Sequence, residues 1–384
     1  MPETIVLAYS GGLDTSVATK WLQEEKGYDV VCLMVDLGRL PDVPSARERG
    51  LSAGAKDVAV VDARDDFLRY FVFPALQAGA VYEGSYPLAT ALGRPLIAKL
   101  LVDKAREVGA TAVAHGCTGK GNDQVRFDVS IRALGPDLKV IGTARENQMN
   151  RDQALEYAAK HGIAVRQTAA SPYSTDENLW GRSVEAGVLE DPWAEPPEDV
   201  YAWTKPIIQT PEAPTYVEIA FDHGIPVALD GERLGAVELV ERLNELAGNN
   251  GVGRIDMVED RLVGIKSREI YESPAAVTLL EAHRALESMT LTKQQLRFKE
   301  RLVQEYADLV YNGLWFSAHH QDLAAYVQST QRHVTGDVRM RLHRGTATAV
   351  GRRSDRSLYS HALATYSEGD QFDQTAAQGF IKLW

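Results

Sequence analysis

Short apolar runs alternate with segments of helical period through the first 165 residues. The runs at 4–9, 30–35, 58–62, 111–115 and 138–142 are apolar at consecutive positions, as expected of strands covered on both faces. Between them, stretches at about 15–25, 44–54, 65–78, 92–108 and 151–161 repeat at helical spacing. Gly27, Gly54, Gly109 and Gly162 stand where such helices would stop. This βαβ series predicts an α/β fold: a parallel, doubly wound sheet with helices on both faces, forming a first domain over 1–165.

The pattern then changes. Ser171-Pro172, Pro192, Pro196-Pro197, Pro206, Pro211 and Pro214 break regular structure over 171–215, which reads as a partly extended connection. Beyond it, Tyr216 to Phe221 alternates like a half-buried strand, and 225–229 followed by Asp230-Gly231 suggests a hairpin. Helical periods return at 235–247, 274–288 and 294–312, and strands are expected at 338–342 and 346–350 around Gly345. The expected second domain is α+β over 166–370, followed by a short helical segment over 371–384.

Chemistry concentrates at the carboxyl ends of the expected strands. The run Ala8-Tyr9-Ser10-Gly11-Gly12-Leu13-Asp14-Thr15-Ser16 follows the first strand and opens the first helix. Adjacent glycines let backbone approach an anion, Ser10, Thr15 and Ser16 add hydroxyls, and the helix start adds unpaired N–H groups. It is not the G-x-x-x-x-G-K-[ST] loop of common NTPases. After the fourth strand, His115 to Arg126 holds three glycines with Thr118, Asn122, Asp123 and Arg126. A hydroxyl, an amide, a carboxylate and a guanidinium suit an α-amino acid, although Asn122 and Asp123 are also good helix caps. Three further groups are Tyr82 to Leu88, Tyr173 to Asp176 with Ser183, and Val258 to Asp260 with Lys266 to Glu272. Taken alone, each reads as a capped turn or a surface charge cluster.

Bulk properties narrow the classes. The chain has 384 residues, 45% hydrophobic and 24% charged, with a net charge of −12. That balance disfavours nucleic acid as a main substrate. No apolar run approaches the ~20 residues of a membrane span. Cys32 and Cys117 make neither a disulfide framework nor a zinc cluster. With no signal-like start, the expected location is the cytoplasm.

The order Ser-Gly-Gly-x-Asp-[Ser/Thr] resembles the pyrophosphate loop of ATP pyrophosphatases. The whole chain resembles the argininosuccinate synthase family, on Ala8 to Ser16, Arg94 to Lys99, His115 to Phe127, Leu189 to Pro197 and Gly251 to Asp256. The resemblance implies a PP-loop domain followed by a synthetase and multimerisation domain. It implies ligation of citrulline and aspartate through a citrullyl-adenylate, with ATP as co-substrate and Mg²⁺. Under it, Ala8, Tyr9, Ser10, Gly11, Gly12, Leu13, Asp14, Thr15, Ser16, Val35 and Gly116 would bind ATP. Thr118, Asn122 and Asp123 would bind aspartate. Tyr86, Asn122, Arg126, Ser174, Ser183, Glu259 and Tyr271 would bind citrulline. Ser10, Asp14 and Asp123 are the candidates for the chemical steps, with Asp14 a candidate metal ligand. A homotetramer is implied. Ala91 stands where the family often has a citrulline-binding serine, and Thr90 is expected to point elsewhere. The helix at 374–384 is shorter than is common in the family.

Overall fold

The computed structural model describes residues 2–40, 42–119, 121–163 and 172–384. The expected domain seam at 165/166 therefore lies outside the described residues, as does Ser171.

Strands β1 (Thr4–Ala8), β2 (Asp29–Asp36), β3 (Asp57–Asp62), β4 (Ala112–His115) and β5 (Lys139–Gly142) form one sheet in the order β3-β2-β1-β4-β5. Every pairing is parallel. Successive side chains leave opposite faces of a strand. Ile5 and Leu7 thus join Trp21 and Leu22 of the helix Leu13–Glu24, while Val6 joins Leu101 and Phe127 on the other side. That two-sided cover is why the strands read as unbroken apolar runs. The topological switch falls between β1 and β4, and both glycine-rich loops leave the sheet there.

The second unit holds two antiparallel sheets. One contains β6 (Ser174–Asn178), β7 (Gly181–Glu185), β11 (Arg254–Asp260) and β12 (Lys266–Glu272) in the order β11-β12-β7-β6. The other contains β8 (Thr215–Asp222), β9 (Ile225–Leu229), β10 (Glu232–Arg233), β13 (Gly336–His343) and β14 (Thr346–Arg353), in the order β10-β9-β8-β13-β14. The segments 174–176, 258–260 and 266–272, read in isolation as turns or surface charge, are therefore strands of one sheet. The helices Ala236–Asn249, Pro274–Thr290 and Lys293–Tyr311 match their expected stretches closely. The helix Ala318–Thr330 was not anticipated.

The two units share a core. Phe67, Phe71, Leu76 and Leu92 belong to the same apolar cluster as Leu239, Leu279, Tyr306 and Val338. The tip of the β6–β7 hairpin also enters the first unit. Leu179 N–H donates to the Leu37 carbonyl at 2.9 Å, and Trp180 Nε1 donates to that of Pro87 at 3.0 Å. A Cβ on Gly38 would sit 2.2 Å from Leu179, so only glycine leaves room for that tip.

Candidate active site

A cleft of about 900 Å³ opens at the switch point, lined by Ala8, Tyr9, Ser10, Asp14, Thr15, Val35 and Gly116 among others. Gly11 holds φ +76, and a Cβ there would lie 2.6 Å from that of Ala46. The turn therefore needs glycine on both conformational and steric grounds. Gly12 caps the first helix without a side-chain bond, which leaves first-turn N–H groups available to a ligand. Ser10 Oγ lies 3.1 Å from Thr15 Oγ1. Ser16 is turned inward: its hydroxyl donates to the Gly12 carbonyl and meets Tyr9 Oη at 2.9 Å. Gly11, Gly12, Leu13 and Ser16 thus shape the loop rather than line the cleft. Gly116 brings the second loop against the first, since a Cβ on it would be 3.3 Å from Thr15 Cγ2.

Next to this cleft is a cavity of about 240 Å³, lined by Tyr86, Thr118, Asn122, Asp123, Arg126, Ser183, Glu259 and Tyr271. Gly116, Cys117 and Asp176 line both spaces. The strand register explains the grouping: Asp176 pairs with Ser183, and Ser183 with Tyr271. Alternation puts Glu269 on the Tyr271 face of β12 and Glu185 on the Ser183 face of β7, and both line the cavity. Ser174 pairs in register with Glu185 but lies outside the lining. Tyr86 accepts the N–H of Thr90 at 2.8 Å, which caps the helix Ala89–Glu107, and stacks on Tyr271 at 4.1 Å. Thr90, expected to point elsewhere, lines this cavity, because that first turn wraps around Tyr86. Ala91 is fully buried in the shared core.

Charge is arranged around Asp123. Arg94 Nε donates to its Oδ2 at 2.8 Å and Arg126 Nη1 to its Oδ1 at 2.9 Å. Arg94 also pairs with Asp176. Burial alone would push the Asp123 carboxyl up, but Arg94 and Arg126 outweigh it and hold the group below the usual carboxylate range. Arg126 is 3% exposed, and its Nη2 has no hydrogen-bond partner among the described residues. Arg126 lines the cavity, where its positive charge suits an anionic ligand. Asn122 stands at the N-cap of its helix without a side-chain cap bond; its amide donates to Tyr311 Oη at 2.9 Å and accepts from Leu262 N–H at 2.8 Å. Glu259 accepts from Tyr271 at 2.6 Å and from Tyr311 at 2.5 Å. Glu269 is pushed up to about 7 by burial and by Glu185, against the opposing pull of Arg261. Among the described residues no group of three His, Cys, Asp or Glu side chains is placed to hold a metal ion. No helix there is long and apolar enough to cross a membrane.

The sequence offers no role for Glu185, Arg261 or Tyr311, presents Glu269 only as one of the Lys266–Glu272 group, and turns Thr90 away from the site. For Glu185 and Glu269 the available signal was the period-2 spacing with Ser183 and Tyr271.

Known proteins bear on the whole chain. The family model described as Arginosuccinate synthase N-terminal HUP domain matches residues 4–164, and that described as Arginosuccinate synthase C-terminal domain matches residues 173–384. The argininosuccinate synthase of Dehalococcoides mccartyi is 57% identical, over 100% of this chain and 95% of that protein. That of Gloeobacter violaceus is 59% identical, over 99% and 96%. Among solved structures, the U34-tRNA thiolase NcsA of Methanococcus maripaludis aligns with 15% identity and a TM-score of 0.27, over 45% of this chain and 61% of that one. That last likeness is too slight to bear on the fold. Two family models that together span nearly the whole chain, and relatives this close end to end, make it a member of the argininosuccinate synthase family.

Proposed function

We propose that this chain activates citrulline with ATP and ligates it to aspartate, releasing AMP and pyrophosphate. The observation that carries the reading is the sharing of Gly116, Cys117 and Asp176 by the two spaces. A nucleotide in the larger one presents its α-phosphate to an amino acid in the smaller.

Ala8 to Ser16 hold the phosphates, by first-turn N–H groups and by the hydroxyls of Ser10 and Thr15, and Val35 and Gly116 meet adenine and ribose through backbone. Tyr86, Asn122, Arg126, Ser183, Glu259 and Tyr271 hold citrulline, with the Arg126 guanidinium as the cation for its carboxylate. Ser174 borders this group through its register with Glu185. Thr118, Asn122 and Asp123 hold aspartate; each Asp123 oxygen already engaged by an arginine keeps a lone pair for an ammonium.

The ureido carbon is a poor electrophile because two nitrogens feed it. Attack of the ureido oxygen on the α-phosphorus expels pyrophosphate and turns that oxygen into part of a leaving group. The aspartate amine then displaces AMP. Positioning and charge stabilisation supply most of the acceleration. Mg²⁺ bound with the nucleotide would neutralise charge on its phosphates, with most of its ligands coming from phosphate and water. Asp14, the one carboxylate of the loop, lines the cleft and fits that part.

The enzyme works in the cytoplasm as a homotetramer. The helix Gln374–Leu383, with Phe380, Ile381, Leu383 and Trp384 exposed, supplies a subunit contact, which light scattering tests.

The decisive experiment follows pyrophosphate release from ATP and Mg²⁺ with citrulline, aspartate, both or neither. Sustained release only with both, matched by AMP, is expected. ATP binding without turnover in every combination would overturn the reading.

A further inference from the structure

The last turn of the helix Lys293–Tyr311 is driven against the wall of the amino-acid cavity. Gly313 ends it with φ +78, and a Cβ there would lie 2.7 Å from Cα of Arg126. Only glycine allows that approach. Carbonyls of a last helical turn lack intrahelical donors; that of Tyr311 is met by Arg126 Nε at 2.8 Å. The Arg126 guanidinium also lies 4.7 Å from the centroid of the Tyr311 ring, and the Tyr82 ring stacks on Tyr311 at 3.6 Å.

The hydroxyl adds a bridge. Tyr311 Oη donates to Glu259 Oε1 at 2.5 Å and accepts from Asn122 Nδ2 at 2.9 Å. A phenol has one proton, and an ionised carboxylate only accepts, so the directions are fixed. They fix the Asn122 amide as well, with its oxygen held by Leu262 N–H. Tyr311 is fully buried behind the residues it holds.

We propose that Tyr311 is a positioning residue for citrulline: its hydroxyl, ring and carbonyl set Asn122, Glu259 and Arg126 relative to one another without touching the substrate. The proposal rests on the assignment of those three residues to citrulline made above.

Tyr311→Phe keeps the ring and the carbonyl and removes only the bridge. Steady-state kinetics on the full chain should show citrulline KM raised about tenfold, with ATP KM within about twofold of the parent. Tyr82→Phe takes a hydroxyl from the same stack, one that donates to the Asp260 carbonyl instead, and should leave citrulline KM within about twofold. Calorimetric titration with citrulline, which counts only folded sites, guards against loss of folded protein. An unchanged citrulline KM in Tyr311→Phe overturns the proposal. So does an equal rise in Tyr82→Phe, since the effect would then belong to the stack. Arg126→Ala separates the two levels. If it leaves citrulline KM unchanged, the pocket assignment itself falls. If it raises that KM while Tyr311→Phe does not, only the role of Tyr311 falls.

Discussion

Asp123 carries the sharpest local consequence. Its carboxylate sits between the guanidinium groups of Arg94 and Arg126, and both hold it ionised below the usual range. Replacing it with alanine leaves the buried Arg126 and the partly buried Arg94 without their shared anion, at the place where an ammonium would bind. Loss of one partner of a buried charged bond costs about 2–3 kcal/mol, so aspartate KM should rise on the order of 50-fold in Asp123→Ala, with ATP KM much less affected. Initial-rate measurements at varied aspartate check this, and an unchanged aspartate KM removes Asp123 from the site. Because its folded value is depressed, the stabilisation that the ionised group contributes is present above the ordinary carboxyl range. It is lost as pH falls through the depressed value.

At the scale of elements, the loop between β1 and the first helix depends on one backbone conformation. Gly11→Ala places a methyl at positive φ against Ala46, and non-glycine residues there are strained by about 1–2 kcal/mol before any clash. We expect ATP KM to rise at least about tenfold while calorimetry finds citrulline binding nearly intact. Parallel loss of both would mean that the loop supports the whole site rather than the nucleotide end. This element was legible from sequence because strand, glycine turn and helix follow in an unbroken local order. So were the five parallel strands, whose apolar runs reflect cover on both faces. The sheet that carries Ser183, Glu185, Glu259, Glu269 and Tyr271 was not. Its cavity-facing positions are polar because they face a polar ligand site, so the apolar–polar alternation that marks a half-buried strand is absent from Lys266 to Glu272. Asn122 misled for a related reason: a residue type suited to capping instead spends its amide on Tyr311 and Leu262.

For the molecule as a whole, stability should fall on acidification through a group that lines neither the cleft nor the cavity. His320 is buried beside Tyr306 and Trp315, and its Nε2 has no hydrogen-bond partner among the described residues. Burial pushes the imidazole down to about 4, whereas in the unfolded chain it titrates near 6.5. Below pH 6.5 the unfolded state therefore binds the extra proton and the folded state does not, so stability declines as pH drops towards 4. Between pH 6.5 and 5 this one group costs about 2 kcal/mol. Urea denaturation at pH 7 and 5 should show a smaller loss in His320→Phe than in the parent, and an equal loss would place the sensitivity elsewhere.

The shared apolar core has a further meaning. The family models meet between residues 164 and 173, yet Phe67, Phe71 and Leu92 pack in one cluster with Leu239, Leu279 and Val338. A gene cut at that seam would yield two polypeptides, each displaying the oily surface that the other normally hides. Made apart, they should precipitate; made together, they should find each other and restore turnover. The seam marks where the chain crosses between units, not where the molecule can be taken apart.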